Sequence, residues 1–253
     1  MASARVLGKI RDKPQKSTVA LTLNIDLGEL PDEPEELYAL ATIVNIACGG
    51  HAGDRASMTR AVELAKRSGA DLSAHPAYYD REGFGRRRTF SPPAETRDVV
   101  YLQCSVLTDV ARAAGLEVRA AKAHGGLYHD ACEDLAYAEA FLDGAQRGLP
   151  DLEWILGLGG SALERCVTQR GLRFCAEGFA DRRYTADMRL MPRTSPDAVL
   201  TDPQACLSQA LLLARMQLFA TLCLHGDTPQ ALKNARAVRN ALVAEGLLTR
   251  LDA

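Results

Sequence analysis

The feature that most constrains the fold is an alternation of short apolar runs with amphipathic helical stretches, which begins at Thr18. The predicted strands are Val19–Ile25, Ile43–Ala47, Ala70–Ala74, Val118–Ala123, Trp154–Leu158, Leu172–Ala176, Ala198–Leu200 and Leu218–Leu224. Several are continuous Val, Ile, Leu and Ala runs, as expected where a parallel sheet is covered on both faces. Such strand–helix repeats build an open doubly wound sheet or a closed barrel. About seven or eight units favour closure, which predicts an α/β fold with a (β/α) barrel of about seven parallel strands.

The helical stretches between these strands have recognisable ends. Asp54 is placed to cap one helix, and Gly69 is placed to end it. Ser161 and Glu164 have the spacing of a capping box. A capping residue followed by proline predicts three further helix starts, at Ser91–Pro92, Asp202–Pro203 and Thr228–Pro229.

Composition favours a single domain in a reducing compartment. No linker or composition break interrupts residues 18–253, whereas residues 1–17 are rich in Lys, Arg and Pro and lack the apolar core of a secretory signal. We therefore expect a flexible N-terminal lead-in followed by one barrel domain. The seven cysteines form no C-x-x-C pair, which favours buried free thiols. No apolar run approaches the ~20 residues of a membrane helix, so we expect a soluble, cytoplasmic protein without a membrane partner.

The charge balance argues against nucleic-acid binding. Lys and Arg total 30 and Asp and Glu total 32, which gives a net charge of -2. A polyphosphate backbone is normally bound by a strongly basic surface, and this composition offers no such excess. Small-molecule chemistry is the better expectation.

Polar and ionisable residues are concentrated just after the ends of the predicted strands. They are Asn24, Asp26 and Glu29, then Asn45 and His51, His75 and Arg86, Lys122 and His124, then Glu177, Asp181, Arg182 and Arg193, and finally His225. In a (β/α) barrel these strand ends converge on one mouth, where such barrels carry their active sites. The sequence therefore predicts an active site at that mouth.

Some of these positions have structural explanations of equal weight. Asp54 and Asp227 fit helix caps as well as site residues. Asn45 fits a brace for the glycines that follow it, and the run from Arg86 to Arg88 fits a solvated charge cluster. The group that is hard to explain structurally consists of Asp26, His51, His75, Lys122 and His124.

The order and content of these motifs resemble the LamB/YcsF family. The matching motifs begin at Asn24, Asn45, Ala74, Gly83, Lys122, Glu177, Pro192 and His225, and read NIDLGE, NIACGGHAGD, AHP, GFGRR, KAHGGLY, EGFADRRY, PR and HGDTP. The resemblance implies a variant seven-stranded barrel similar to that of carbohydrate deacetylases. It also implies 5-oxoprolinase activity, in which 5-oxoproline, ATP and water give glutamate, ADP and phosphate. Separate B and C subunits are the implied partners, ATP with Mg²⁺ is the implied co-substrate, and the oligomeric state of the chain is left open.

Four residues are the candidates for catalysis in that reaction. Asp26 or Glu29 would orient and deprotonate water, and His124 would donate or shuttle a proton. Lys122 would hold carboxylate or phosphate oxygens, together with Arg182 or Arg193. The other residues assigned to substrate or phosphate binding are Asn24, Asn45, His51, His75, Arg86, Glu177, Asp181 and His225.

Two other functions remain open at this point. Asp26, His51, His75 and His124 are alternative ligands for a divalent metal in a deacetylase or amidohydrolase, although no H-E-x-x-H pair is present. A non-catalytic binding subunit is the third alternative. The chain also departs from the usual family pattern beside the mouth, at Gly50, Ala77, Tyr79, Ala123, His129 and in a short segment over residues 30–44.

Overall fold

Seven parallel strands form a closed barrel in the computed structural model, which describes residues 20–89 and 91–252. The strands are β1 Thr22–Leu27, β2 Ile43–Ala47, β3 Asp71–His75, β4 Ala120–Ala121, β5 Trp154–Gly157, β6 Arg173–Phe179 and β7 Thr221–His225. Each strand pairs with the next, and β7 pairs with β1. The predicted barrel is confirmed. The expected lead-in over residues 1–17 lies outside the described residues.

The helices surround the barrel. They are α1 Glu36–Leu40, α2 Arg55–Ser68, α3 Pro93–Ala113, α4 Gly125–Glu133, α5 Leu135–Gly148, α6 Ala162–Gln169, α7 Pro203–Met216 and α8 Ala231–Ala244. In the part of the chain that the structure describes, no helix combines the length and apolar composition needed to cross a membrane.

Most of the predicted helix ends are confirmed, and two are wrong. Asp54, Ser161 and Asp202 cap α2, α6 and α7 through their side chains. Helix α3 instead begins after Pro92, because the Ser91 hydroxyl contacts the Thr89 hydroxyl at 3.1 Å rather than a helix N–H. Helix α8 begins after Gln230, because the Thr228 hydroxyl donates to the His225 carbonyl at 3.0 Å.

One predicted strand is wrong, and another is shorter than expected. Residues Ala198–Leu200 form no strand; Val199 makes only an isolated antiparallel bridge with Arg182. Since β6 pairs directly with β7, the barrel leaves no edge between them for a further strand. The fourth strand is reduced to two residues of the predicted six, Ala120–Ala121.

A small apolar cluster fills the end of the barrel where the strands begin. Its buried members are Ile43, Ala120, Leu156, Cys175 and Leu251. The C-terminal segment reaches this end by pairing with the residue before β1: Leu21 N–H donates to Leu247 O at 2.8 Å, and Thr249 N–H donates to Leu21 O at 3.0 Å. All seven cysteines are buried and free, as predicted.

Strand register places the site residues at the opposite end. Asp26 is paired with Asn45 on β2 and with His225 on β7. His75 is paired with Ala47, the last residue of β2. Alternate residues of a strand share a face, so these pairings bring side chains from several strands to one level.

Candidate active site

A cavity of about 400 Å³ opens at the carboxyl ends of the strands. Its ionisable lining residues are Asp26, His75, Arg86, Lys122, His124, His129, Arg182, Arg193 and His225. Phe179, Leu190 and Met191 contribute apolar surface. The cavity therefore has the position predicted from the sequence and a mixed polar and apolar lining, as is usual for small-molecule sites.

Lys122 occupies the centre of the floor. Its Nζ lies 2.9 Å from Asp26 Oδ1 and 2.9 Å from Glu177 Oε1. It also lies 3.2 Å from Asn24 Oδ1 and 3.0 Å from Cys223 Sγ. An ammonium group has three N–H donors, so these four neighbours already exceed its capacity.

Neighbouring charges set the ionisation of this pair. Burial alone would raise the pKa of Asp26, but the positive charges of His75 and Lys122 hold it well below its usual value. Burial would lower the pKa of Lys122, but Asp26, Cys223 and Glu177 hold it well above its usual value. The floor therefore holds a carboxylate and an ammonium at neutral pH.

The two oxygens of Asp26 have different surroundings. Oδ1 accepts from Asn45 Nδ2 at 2.7 Å and from Lys122. Oδ2 faces two imidazoles, with His75 Nε2 at 3.3 Å and His225 Nε2 at 3.7 Å. The first oxygen is held by the protein, and the second is placed to contact a water or a substrate.

His75 and His124 are oriented by backbone carbonyls. His75 Nδ1 lies 2.8 Å from Lys122 O, and His124 Nε2 lies 2.9 Å from Phe84 O. The remaining nitrogens, His75 Nε2 and His124 Nδ1, are 3.0 Å apart. Both rings are buried and are nearly perpendicular to each other.

Glu29 and His51 complete this cluster beside the cavity. Glu29 Oε1 lies 2.8 Å from His51 Nε2, 3.4 Å from His124 Nδ1 and 3.9 Å from His75 Nε2. The rings of His51 and His124 stack at 3.6 Å with an interplanar angle of 2°. Three imidazoles and one carboxylate therefore share a buried volume.

Burial dominates the ionisation of the cluster. Burial and the negative charges of Asp26 and Asp227 raise the pKa of Glu29 well above its usual value. Burial, followed by the charge of His75, lowers the pKa of His51 to about 2. Burial and the neighbouring imidazoles of His51 and His75 lower the pKa of His124 well below its usual value.

His225 is held by a carboxylate behind it. Asp181 contacts His225 Nδ1 at 3.0 Å through Oδ1, and its Oδ2 accepts from the His225 backbone N–H at 2.9 Å. Burial would raise the pKa of Asp181, but the charge and hydrogen bonds of His225 lower it. An ionised Asp181 fixes a proton on Nδ1 and turns Nε2 toward Asp26, an arrangement suited to proton transfer.

Three arginines lie along the cavity. Arg86 and Arg193 both approach Asp227, Arg193 at 3.6 Å. Arg182 donates to Met191 O at 2.7 Å, and among the described residues no carboxylate lies within ion-pair distance of it. Burial and the charge of Arg193 lower its pKa to about 10, so it remains a cation. Arg182 is therefore the arginine best placed to receive an anion.

The predicted site residues divide into three groups by position. Asp26, His75, Arg86, Lys122, His124, Arg182, Arg193 and His225 line the cavity. Asn24, Asn45 and Glu177 lie under its floor and hold Asp26 or Lys122. Glu29 and His51 lie beside it, and Asp181 lies behind His225.

Sequence reasoning left four contributing residues out of the candidate list. Cys223 and Tyr128 touch the floor, since Tyr128 donates to Glu177 Oε2 at 3.0 Å and Cys223 contacts Lys122. Phe179 stacks on His225 with ring centroids 5.9 Å apart. Cys223 lies two residues before His225 on β7, so strand alternation was the available signal. Phe84 acts through its carbonyl, for which the sequence gives no signal.

A family model matches residues 21–251, and its description is the LamB/YcsF family. The chain belongs to the LamB/YcsF family. The match covers all seven strands and every candidate site residue. The resemblance inferred from the motifs is confirmed.

Relatives within this family carry one name. The chain is 41% identical over 245 residues to the 5-oxoprolinase A subunit of Streptomyces avermitilis, covering 90% of this chain and 97% of the relative. It is 40% identical over 250 residues to the protein of the same name from Chloroflexus aggregans, covering 92% and 98%. Thus the similarity extends along nearly the full length of both proteins.

Solved structures agree on the fold. The lactam utilization protein from Thermus thermophilus superposes with a TM-score of 0.81 at 33% identity, covering 92% of this chain and 99% of that one. The catalytic domain of a peptidoglycan N-acetylglucosamine deacetylase from Eubacterium rectale superposes with a TM-score of 0.51 at 12% identity, covering 96% and 92%. The second comparison relates only the barrel architecture of the LamB/YcsF family to that of deacetylases.

Proposed function

We propose that this chain is the A subunit of an ATP-dependent 5-oxoprolinase, which opens the lactam ring of 5-oxoproline to L-glutamate. The family and the names of its relatives support the substrate class. The observation that carries the proposal is the pairing of charges in the cavity. Asp26 is an ionised carboxylate on the floor, and Arg182 is a cation on the wall for which the described residues provide no carboxylate partner.

The reaction requires activation because a lactam carbonyl is stabilised by resonance. Transfer of a phosphoryl group from ATP, supplied with Mg²⁺, to the amide oxygen makes the ring carbon electrophilic and provides a leaving group. Water then adds to that carbon, the C–N bond breaks, and phosphate departs. The products are glutamate, ADP and phosphate, with the proton from water passing to the ring nitrogen.

The geometry favours Asp26 as the residue that orients the water. Its Oδ2 faces the cavity side of the imidazoles, whereas its Oδ1 is held by Lys122 and Asn45. Lys122 has no spare N–H for a substrate, so in this proposal it acts by keeping Asp26 ionised. This differs from the substrate-holding role expected from the sequence.

His225 is better placed than His124 to protonate the ring nitrogen. Both ring nitrogens of His124 have partners, His75 Nε2 and Phe84 O. His225 uses Nδ1 for Asp181 and leaves Nε2 toward the cavity, 3.7 Å from Asp26 Oδ2. A histidine held in one tautomer by a carboxylate is an effective proton donor near neutral pH.

The substrate carboxylate is assigned to Arg182. A guanidinium binds a carboxylate through two parallel hydrogen bonds, which a lysine cannot reproduce. We expect Arg182→Lys to raise the KM for 5-oxoproline by roughly tenfold or more. The matched control is Arg183→Lys, because Arg183 is the adjacent residue, is exposed, and directs its side chain to the Asp197 carbonyl.

The decisive experiment measures glutamate release from 5-oxoproline by this chain mixed with B and C subunits from the same organism. The proposal requires release that depends on ATP and on all three proteins, and that falls in His225→Asn. Release by the B and C subunits alone would overturn it. Release with this chain that is unaffected by both His225→Asn and Arg182→Lys would leave the chain as a non-catalytic subunit.

A second candidate is hydrolysis of a related amide by a metal-activated water without ATP. The convergence of Glu29, His75 and His124 favours it, because carboxylate and imidazole are typical ligands of divalent transition metals. Omitting ATP from the same assay separates the two functions. Undiminished product without ATP would favour the metal-dependent hydrolase.

A further inference from the structure

The buried cluster beside the cavity contains more lone pairs than protons can satisfy. Lys122 O and Phe84 O can only accept, so His75 must carry a proton on Nδ1 and His124 must carry one on Nε2. Two neutral rings would then direct their remaining lone pairs at each other across 3.0 Å. Glu29 Oε1 adds a further acceptor 3.4 Å from His124 Nδ1. A positive charge is needed between these atoms.

The same hydrogen bonds are characteristic of metal ligands. A histidine that binds a metal usually donates its other ring N–H to a carbonyl or carboxylate, which fixes the tautomer and directs the free lone pair at the ion. His75 and His124 both satisfy this condition through backbone carbonyls. Glu29 Oε2 is buried and has no hydrogen-bond partner in the described part of the chain.

The spacing of the three ligand atoms fits a first-row transition ion. With metal–ligand bonds of ~2.0–2.1 Å, the edges of a tetrahedral site measure roughly 3.3–3.4 Å. The observed edges are 3.0 Å between the two imidazole nitrogens, 3.4 Å from Glu29 Oε1 to His124 Nδ1, and 3.9 Å from Glu29 Oε1 to His75 Nε2. Small side-chain rotations equalise these distances.

We propose that Glu29 and His75, together with His124, form a three-ligand site for a divalent transition-metal ion such as Zn²⁺. His75 and His124 also line the cavity, so an ion held by them borders the space assigned to the substrate. Three protein ligands leave a coordination position open, as in catalytic zinc sites. Zinc binding by the isolated chain does not depend on which reaction the cavity performs.

His51 lies outside this ligand set despite its proximity. Its ring is parallel to that of His124 at a centroid distance of 3.6 Å. An imidazole binds a metal in its own ring plane, and one ion cannot lie in two parallel planes. His51 instead contacts Glu29 Oε1 at 2.8 Å and holds that carboxylate in place. The alternative ligand set of Asp26 with all three histidines is therefore replaced by one that contains Glu29.

A second group of ligand atoms, from Asp26, Cys223 and His225, is a weaker candidate. Lys122 Nζ lies 2.9 Å from Asp26 Oδ1 and 3.0 Å from Cys223 Sγ. An ion bound there would lie beside a buried ammonium that already neutralises the carboxylate. Electrostatic repulsion between the two cations therefore favours the Glu29 site.

Calorimetric titration of the full chain with Zn²⁺, after removal of bound metal with a chelator, tests the site. We expect one ion per chain, and we expect Glu29→Gln and His124→Asn each to weaken binding by more than about 100-fold. His225→Asn is the matched control, because it removes a ligand of the second group and should leave the affinity unchanged. Circular dichroism establishes that each variant is folded, and Glu29→Gln alone suffices if His124→Asn does not fold.

The role of His51 gives an independent readout. Co²⁺ bound in place of Zn²⁺ has a visible spectrum that reports its ligands. His51→Asn should weaken binding roughly 10- to 100-fold while leaving the Co²⁺ band positions unchanged, as expected for a residue that only orients a ligand. A shift of the bands in this variant would make His51 a ligand and overturn the three-residue assignment.

Three other results would also overturn the proposal. Absence of stoichiometric Zn²⁺ binding by the folded chain would mean that His75 and His124 share only a proton. Equal binding by wild type and Glu29→Gln would mean adventitious binding elsewhere. Loss of binding in His225→Asn would assign the ion to the second group. These titrations contain no 5-oxoproline, ATP or partner proteins, so their failure is distinct from failure of the proposed reaction.

Discussion

Lys122 shows how one buried side chain organises the floor of the cavity. Its ammonium lies between Asp26 and Glu177, with Asn24 and Cys223 also in contact. A buried ion pair contributes little net stability compared with an apolar replacement of both partners, but removal of one partner leaves an unpaired charge. Lys122 therefore matters more for the state of its neighbours than for attraction alone.

Replacing Lys122 with methionine, which has a side chain of similar length, should destabilise the protein and abolish turnover. Asp26 and Glu177 would then be buried without a cation, and we expect a loss of about 3–5 kcal/mol in the free energy of unfolding. Urea unfolding and ATP-dependent glutamate release measure the two effects. Lys233→Met on the exposed face of α8 is the control and should change the stability by less than about 0.5 kcal/mol. Equal stability of the two variants would contradict the role given to Lys122.

Asp181 gives a prediction for pH dependence. Its pKa in the folded protein is lowered, with burial opposed by His225 and the nearby charge of Arg193. Its stabilising contribution is therefore complete above the unfolded pKa of about 3.9 and is lost as the pH falls through the folded value. We expect Asp181→Asn to cost about 3 kcal/mol at pH 7, and the difference from wild type to shrink below about pH 4. Urea unfolding from pH 3 to 7 measures this difference, and a constant difference would contradict it.

Some of these residue contacts were not readable from the sequence. Gln103 on α3 contacts the backbone of Ala77 through both ends of its amide, at 3.1 Å and 2.7 Å. A side chain at Gly50 would place its Cβ 2.5 Å from Gln103 Oε1. Glycine in place of the usual phenylalanine is thus matched to a residue 53 positions away in the chain. A single sequence contains no record of such long-range pairing.

The loop between β3 and α3 packs against the start of α4. The Gly126 N–H donates to Gly85 O at 2.8 Å, and His124 Nε2 contacts Phe84 O at 2.9 Å. A Cβ at Gly126 would lie 2.6 Å from Arg87 O and 3.0 Å from its carbonyl carbon. These are backbone atoms, so the loop can relieve the overlap only by moving away from His124.

Gly126→Ala should therefore displace this loop. We expect a loss of about 1–3 kcal/mol in stability, together with a fall in glutamate release, because His124 loses its contact with the Phe84 carbonyl. The control is Gly159→Ala, whose added Cβ would meet only Ala176 Cβ at 3.6 Å. Thermal unfolding and the glutamate-release assay compare the pair. Identical behaviour of the two variants would show that close approach at Gly126 is unimportant.

At the level of elements, the sequence indicated what is repeated and missed what depends on closure. Continuous apolar runs located the seven strands, and side-chain caps located α2, α6 and α7. The false strand Ala198–Leu200 has the same composition as a real one, and only the direct pairing of β6 with β7 excludes it. The site followed from strand ends, but the choice between His124 and His225 required the positions of Phe84 and Asp181. Neither partner is adjacent in the sequence to the histidine that it holds.

The whole barrel separates its two ends by function. The carboxyl ends of the strands carry the cavity, whereas the amino ends are closed by an apolar cluster that includes Leu251. A strand of five residues such as β2 spans about 13 Å from its first residue to its last. Changes at the closed end should therefore alter stability without altering the geometry of the cavity.

Leu251→Ala tests this separation of stability from activity. Leu251 is buried among Ile43, Ala120, Leu156 and Cys175, and its loss leaves a cavity at the closed end. We expect about 2–3 kcal/mol of destabilisation in urea unfolding, with ATP-dependent glutamate release at 25 °C unchanged. Leu218→Ala is the matched control, since Leu218 is 64% exposed and should cost less than about 0.5 kcal/mol. A folded Leu251→Ala protein that has lost activity would mean that the two ends of the barrel are coupled.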